Sequence, residues 1–230
     1  MKRKRGRPAT IDTDEAMRAV VELFRSKGYA AVSLDELAEV TGLSRPSLYR
    51  AFGNKLSMYI SALDAFGAQA AETALPALQT AGDIESALTN FYNEMLAIYY
   101  RDDEVAPGCL VFGTAPSSAD EAAIQSRLAN GIEQVDAVMR ERILKAYPRC
   151  ETSTLDAAVT MASNTLIAFS ARAKSGATKA ELTAMGAGSA RSIAVLLGFE
   201  GEKGEKGEKG EKAAKRSGVN HKVARRPRTT

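Results

Sequence analysis

The sequence predicts an all-α protein, and three features carry that prediction. Apolar residues make up 45% of the 230 residues, yet tryptophan is absent and aromatics are only 6%, so the core must be built from Ala, Leu, Val and Ile. That composition favours helix over sheet. Apolar residues also recur at spacings of three and four between capping residues, and no run shows sustained period-two alternation bounded by turn signals. The expected architecture is an N-terminal three-helix helix-turn-helix unit followed by a larger helical body, with enough chain to bury a substantial core.

The first helix is expected over 13–27. Ile11, Asp12, Glu15 and Ala16 stand where a hydrophobic staple and a capping box place their members, Ala16, Val20, Leu23 and Phe24 share a face, and Gly28 is a C-terminal stop. Ser33 with Glu36 starts a second, short helix carrying Leu34, Leu37 and Ala38. Gly42 supplies the tight turn, and Ser44 caps a third helix with Pro46 in its first turn, where a missing N–H costs nothing. That spacing is the one of helix-turn-helix, although a plain αα-hairpin shares it. After Gly53-Asn54 a long helix runs from Lys55 to about Ala74, stopped by Pro76, and further helices are expected at 83–101, 118–146, 153–174 and 178–197. From Gly201 the triplet Gly-Glu-Lys repeats four times and leads into a basic stretch ending at Thr230; without proline in the triplets it reads as a solvated, disordered tail.

The net charge of +3 conceals a partition. Residues 1–8 carry +5, residues 201–230 carry +6, and the 192 residues between them carry −8. Basic ends on an acidic body point to a polyanion, with nucleic acid as the default. The single histidine, His221, lies in the tail, which removes His-based triads and His/Cys zinc clusters from the folded part. GxSxG, P-loop and Rossmann fingerprints are all missing, so neither a catalytic step, a cofactor nor a metal is expected. Cys109 and Cys150 are too few and too far apart for a disulfide framework, which suits a reducing cytoplasm. No apolar window is long enough for membrane insertion.

Candidate DNA contacts fall in two places. Lys4, Arg5 and Arg7 belong to a Lys-Arg-Gly-Arg-Pro stretch that resembles the AT-hook, an extended segment whose arginines follow the minor groove of A·T tracts; a basic leader held only by phosphate attraction is the plainer alternative. In the third helix Leu48 points inward, leaving Arg45, Ser47, Tyr49 and Arg50 outward, with Ser44 at the cap. Arg45 is placed to meet base edges, Ser47 a base or a phosphate, and Tyr49 a phosphate. Ser33 and Lys55, each at the start of a helix, could clamp the flanking backbone.

Residues 12–60 resemble the TetR family of bacterial transcriptional regulators, through Phe24-Arg25-Ser26-Lys27-Gly28-Tyr29, Val32-Ser33-Leu34-Asp35-Glu36-Leu37-Ala38, and Gly42-Leu43-Ser44 through Leu48-Tyr49-Arg50-Ala51-Phe52-Gly53-Asn54-Lys55. The resemblance implies an N-terminal three-helix DNA-binding domain and a C-terminal ligand-binding and dimerisation domain. It implies that Arg45 and Ser47 help to read bases while Ser33, Tyr49 and Lys55 contact phosphates. Pro46 stands where many members carry other residues, so base preference does not transfer. The expected organisation is an arm at 1–10, a DNA-binding domain at 11–55, a helical ligand-binding and dimerisation domain at 56–200 and a tail at 201–230.

Small residues in the last two helices, among them Ala157, Ala158, Ala162, Ser163, Ala168, Gly186, Gly188 and Ala190, suggest close pairing with a symmetry mate in a homodimer, or packing within one protomer. Ligand contacts are expected from Phe66, Phe91, Tyr92, Met95, Tyr99, Cys109, Phe112, Met161, Asn164 and Phe169, the larger or polar side chains near the centre of the body. Asn164 and Tyr99 stand out because a polar tip in an apolar wall needs a partner. Cys109 follows Pro107-Gly108 near a helix start, where free N–H groups would lower a thiol pKa. The expected function is a homodimeric repressor released from palindromic double-stranded DNA by a small-molecule inducer. The alternatives are an architectural, nucleoid-type DNA-binding protein dominated by arm and tail, and an electrophile or redox sensor working through Cys109.

Overall fold

The structure is a computed structural model that describes residues 13–80, 82–100 and 108–217, with side chains through residue 198. Lys4, Arg5 and Arg7 therefore lie outside the described residues. Among the described residues there are nine α-helices and one 3-10 turn, with no strand. Three helices form the N-terminal head: α1 (Thr13–Ala31), α2 (Leu34–Thr41) and α3 (Arg45–Phe52). The body holds α4 (Lys55–Gln79), α5 (Ile84–Tyr99), the short α6 (Leu110–Thr114) with a 3-10 turn at Ala115–Ser118, α7 (Ala122–Ala146), α8 (Thr152–Lys174) and α9 (Lys179–Ser217).

The head follows its sequence signals closely. Gly28 interrupts α1 at φ 77° and ψ 169°, so regular helix ends where expected and one further turn follows. A Cβ at that φ would be strained, which is why glycine stands there. Ser33 and Glu36 form the anticipated capping box, Gly42 adopts the left-handed turn, and the Ser44 hydroxyl caps α3. Leu37 and Leu48 are fully buried beside Val20 and Phe24, and Leu48 alone contributes about 1.5–3 kcal/mol to fixing α3.

Helix α4 differs from expectation, because it continues through Pro76 to Gln79. The cause lies elsewhere in the chain. The buried guanidinium of Arg142 on α7 donates to the Leu78 carbonyl at 2.9 Å and to the Gly82 carbonyl at 2.9 Å, satisfying acceptors at the helix end. Ala74 and Leu78 are buried on either side of the proline, so packing holds the last turn. Helix α6 begins at the start expected beside Cys109, although no extent is expected for it because five residues are too few to show a period. Helix α9 extends to Ser217, where the sequence pattern implies a solvated tail from 201.

One apolar core runs from Val20 and Phe24 in the head, through Met58, Tyr59 and Phe66 on α4, to Tyr92, Leu166 and Phe169 in the body. Close approach of α9 depends on Gly186, where a Cβ would lie 2.9 Å from Phe169 Cζ and 3.3 Å from Tyr92. Several small residues thus pack within the protomer: Ala158, Ala162 and Ala190 are buried, and Ser163 donates to the Asp136 carboxylate. Ala157, Gly188, Met161 and Val195 are exposed on α8 and α9.

Candidate nucleic-acid interface and central cavity

Helix α3 leaves Arg45, Tyr49 and Arg50 exposed and Ser47 half-buried, with Leu48 turned inward. Arg45 is not free: its Nε donates to Asp35 Oδ1 on α2 at 2.8 Å, and its Nη2 donates to the same oxygen. Both side chains are more than half exposed, at 54% and 74%, so solvent screens the pair and it can be given up. The Ser47 hydroxyl lies 3.0 Å from that of Ser44, each able to donate to the other. Tyr49 is 47% exposed.

Two flanking positions are engaged within the fold. The amide and hydroxyl of Ser33 both donate to Glu36 Oε2 at 2.7 Å. Lys55 Nζ donates to the Ala30 carbonyl at 3.3 Å and sits 4.7 Å from the centre of the Tyr29 ring; partial burial lowers its pKa. Lys27 also bonds to Glu36, and with the two Ser33 donors it holds that carboxyl down to about 2 from a usual 4.5. A depressed carboxylate adds stability above its unfolded pKa and loses it as pH falls through its folded one. The head is therefore expected to lose this contribution between about pH 4.5 and 2. Side-chain carbonyl NMR of Glu36 should titrate near 2 and revert towards 4.5 in Lys27→Met; an ordinary midpoint in the wild type contradicts the assignment.

The body carries a cavity of about 610 Å³ between α4, α5, α6, α7 and α8, open to solvent along α4 and α7. Five of the ten expected ligand contacts line it: Phe66, Phe91, Met95, Cys109 and Phe112. The other five do not. Tyr92 and Phe169 are core, packed edge to face at 5.5 Å, with the Tyr92 hydroxyl donating to the Ala162 carbonyl at 3.1 Å. Tyr99 is fully buried, its hydroxyl faces Cys109 without a hydrogen bond of ordinary geometry, and burial raises its pKa well above 10.0. Met161 and Asn164 are on the exposed side of α8, since the helix turns that face away from the cavity.

Sequence reasoning misses the wall built by Gly67, Ala68, Ala70 and Ala71 of α4, and the polar set Asp64, Arg127, Asn130 and Gln134. The small residues of α4 leave the space that larger ones would fill. The spacing of Arg127, Asn130 and Gln134 puts them on one face of α7, the signal that was available. Cys109 does cap α6, its sulfur accepting from the Phe112 amide at 3.4 Å. The expected lowering of its pKa does not follow, because the thiol is only 2% exposed and burial pushes it up.

One side chain joins cavity and head. Arg25 of α1, 1% exposed, donates to the Gly108 carbonyl from Nε at 3.1 Å and from Nη2 at 2.9 Å, and to the Ile98 carbonyl at 3.0 Å. It also pairs with Glu22 at 2.9 Å and lies 5.1 Å from the centre of the Phe66 ring. Phe66 lines the cavity, and Gly108 precedes Cys109, which lines it too. Tyr59 and Thr114 tie α4 to α6 within the body, their hydroxyls 2.6 Å apart, and the Tyr59 ring meets Phe24 of the head at 4.9 Å.

A capped helix-turn-helix with an exposed second helix, carried on an all-α body, defines a DNA-binding transcriptional regulator. Comparison with known proteins agrees. The sequence profile of bacterial regulatory proteins of the tetR family matches residues 16–62. The HTH-type transcriptional repressor ComR of Escherichia coli is 31% identical over 152 residues, covering 64% of this chain and 68% of ComR. The repressor BdcR of the same organism is 27% identical over 151 residues, covering 66% and 68%. Among solved structures, the TetR family regulator CifR, a cysteine mutant in complex with 26-bp operator DNA, superposes with a TM-score of 0.68 at 25% identity, covering 81% of this chain and 98% of CifR. The chain belongs to the TetR family of bacterial transcriptional regulators.

Proposed function

We propose that the protein is a cytoplasmic, homodimeric repressor that leaves a palindromic operator when a small molecule fills the central cavity, with no catalytic step. The observation that carries this reading is the Arg25 clasp, which ties the first helix of the head to two parts of the cavity wall. A ligand that displaces Phe66 or the segment at Gly108 shifts α1, and with it the spacing of the two recognition helices. Operator affinity then falls by the ligand's differential affinity for the two states. The dimer is supported by exposed, weakly polar stripes on α8 and α9: Ala157, Met161 and Asn164 on one, Gly188 and Val195 on the other. Two-fold symmetry matches half-sites about 34 Å apart or multiples of that.

The head spans 11–55 and the body 56–200 in this reading, between a basic arm at 1–10 and a tail from 201. Arg45 and Ser47 read bases, while Ser33, Ser44, Tyr49, Arg50 and Lys55 meet backbone. The arm follows the adjoining minor groove through Lys4, Arg5 and Arg7. Residues 13–55 carry six basic and six acidic side chains, so most electrostatic attraction comes from the ends. That balance also favours the architectural alternative. Deleting 1–8 together with 201–230 separates the two readings by titration against operator and unrelated duplexes. A repressor keeps its operator preference at lower affinity, with a salt slope reduced by about one for each phosphate that the deleted segments had neutralised. Loss of nearly all preference along with affinity would favour the architectural protein.

A further inference from the structure

The lining of the cavity points to the charge of what it holds. Its deep part is formed by Phe66, Phe91, Met95, Met139 and Leu166, all buried and apolar. Cys109 joins them with a thiol that burial keeps protonated. Charged side chains in the lining are Asp64 and Arg127, at the outer edge, and they already pair at 3.1 Å. A ligand carboxylate or ammonium would have to compete with that half-exposed pair, or enter the apolar floor without a partner. Asn130 and Gln134 are different. Each side-chain amide both donates and accepts, which suits hydroxyl, carbonyl or amide groups without requiring charge. Their place on the exposed side of α7 puts the polar reading at the mouth and the apolar one at the floor.

We propose that the cavity selects an uncharged molecule with an apolar body and a terminal hydrogen-bonding group, the body against Phe66, Met95 and Leu166 and the polar end at Asn130 and Gln134. This rests on the ligand-release reading and adds the chemical class to it. The volume of about 610 Å³ lies within the range of about 300–1,000 Å³ that holds drug-sized ligands.

The test uses the full-length protein and three probes that share one carbon chain: decanol, decanoate and decylammonium at pH 7. Calorimetry reads binding, and fluorescence anisotropy of operator duplex reads release in the same samples. Decanol is expected to bind at least about tenfold more tightly than either ion, because only the ions incur the desolvation of a charge. Asn130→Leu with Gln134→Leu should weaken decanol binding by removing the partners of its hydroxyl, and Ala71→Phe should block decanol by filling the cavity. Tighter binding of either ion, or of none of the three, overturns the proposed class. Binding of decanol without loss of operator affinity would sink the release mechanism and leave the class standing; release by decanoate or decylammonium alone would do the reverse.

Discussion

Arg25→Met is expected to lower the unfolding free energy by about 2–4 kcal/mol and to weaken the link between ligand and operator. The methionine fills much of the volume, so the cost comes from acceptors: the Gly108 and Ile98 carbonyls lose their donors. An orphaned buried acceptor costs about 1–3 kcal/mol, whereas Glu22, at 38% exposure, is resolvated when its partner goes. Removing a buried charge returns part of its desolvation, which keeps the loss below the simple sum. At about 2–4 °C per kcal/mol for a chain of this size, the melting temperature should fall by about 5–15 °C. Arg25→Lys should recover little, because one ammonium cannot reproduce the planar fork that serves both carbonyls and Glu22. Stability alone does not establish coupling. The second readout is the ratio of operator affinities with and without a releasing ligand, taken where both variants are folded; it should move towards one in Arg25→Met. An unchanged ratio would mean that the signal travels by another route, the Tyr59–Thr114 tie being the next to test.

Arg45→Ala is expected to abolish discrimination between operator and unrelated DNA at the base it meets, at about 1–3 kcal/mol per half-site. In a dimer that acts twice, so the operator preference should fall by a factor between roughly thirty and twenty thousand, while affinity for unrelated duplex falls only by the loss of one positive charge per half-site. The pair with Asp35 shapes the outcome. In free protein Arg45 is held at 2.8 Å by a carboxylate that would itself face the phosphates of a bound duplex. Giving up an exposed, solvent-screened pair costs less than a bidentate base contact returns. Asp35→Asn should therefore tighten operator binding modestly and raise affinity for unrelated DNA as well. Combined with Arg45→Ala, its effect should shrink to the electrostatic part; full additivity would mean that the two side chains do not compete.

Local signals account for most of the head. The Ser33–Glu36 box, the Gly42 turn, the Ser44 cap and Pro46 at the start of α3 all lie within a few residues of what they control, so sequence alone places them. The departures come from interactions between distant residues. Pro76 does not end α4 because Arg142, 64 positions away, satisfies the Leu78 carbonyl. The cavity is half legible for a related reason. A void is made by side chains that are small, and Gly67, Ala68, Ala70 and Ala71 look like ordinary helix formers in a sequence. Large residues such as Tyr92 and Phe169 draw attention through size, yet size is what puts them into the solid core. The Arg25 clasp leaves no local trace, since two of its acceptors are main-chain carbonyls 73 and 83 positions away.

Selection of bound DNA from a random duplex pool by the full-length protein at physiological salt tests the central claim most directly, that α3 reads a specific two-fold operator. The account expects a palindrome whose half-sites are about one helical turn apart or a multiple of it, absent when the selection is repeated with Arg45→Ala. Enrichment of A·T-rich duplex without symmetry, unchanged by that substitution, would contradict it and assign DNA binding to the basic ends.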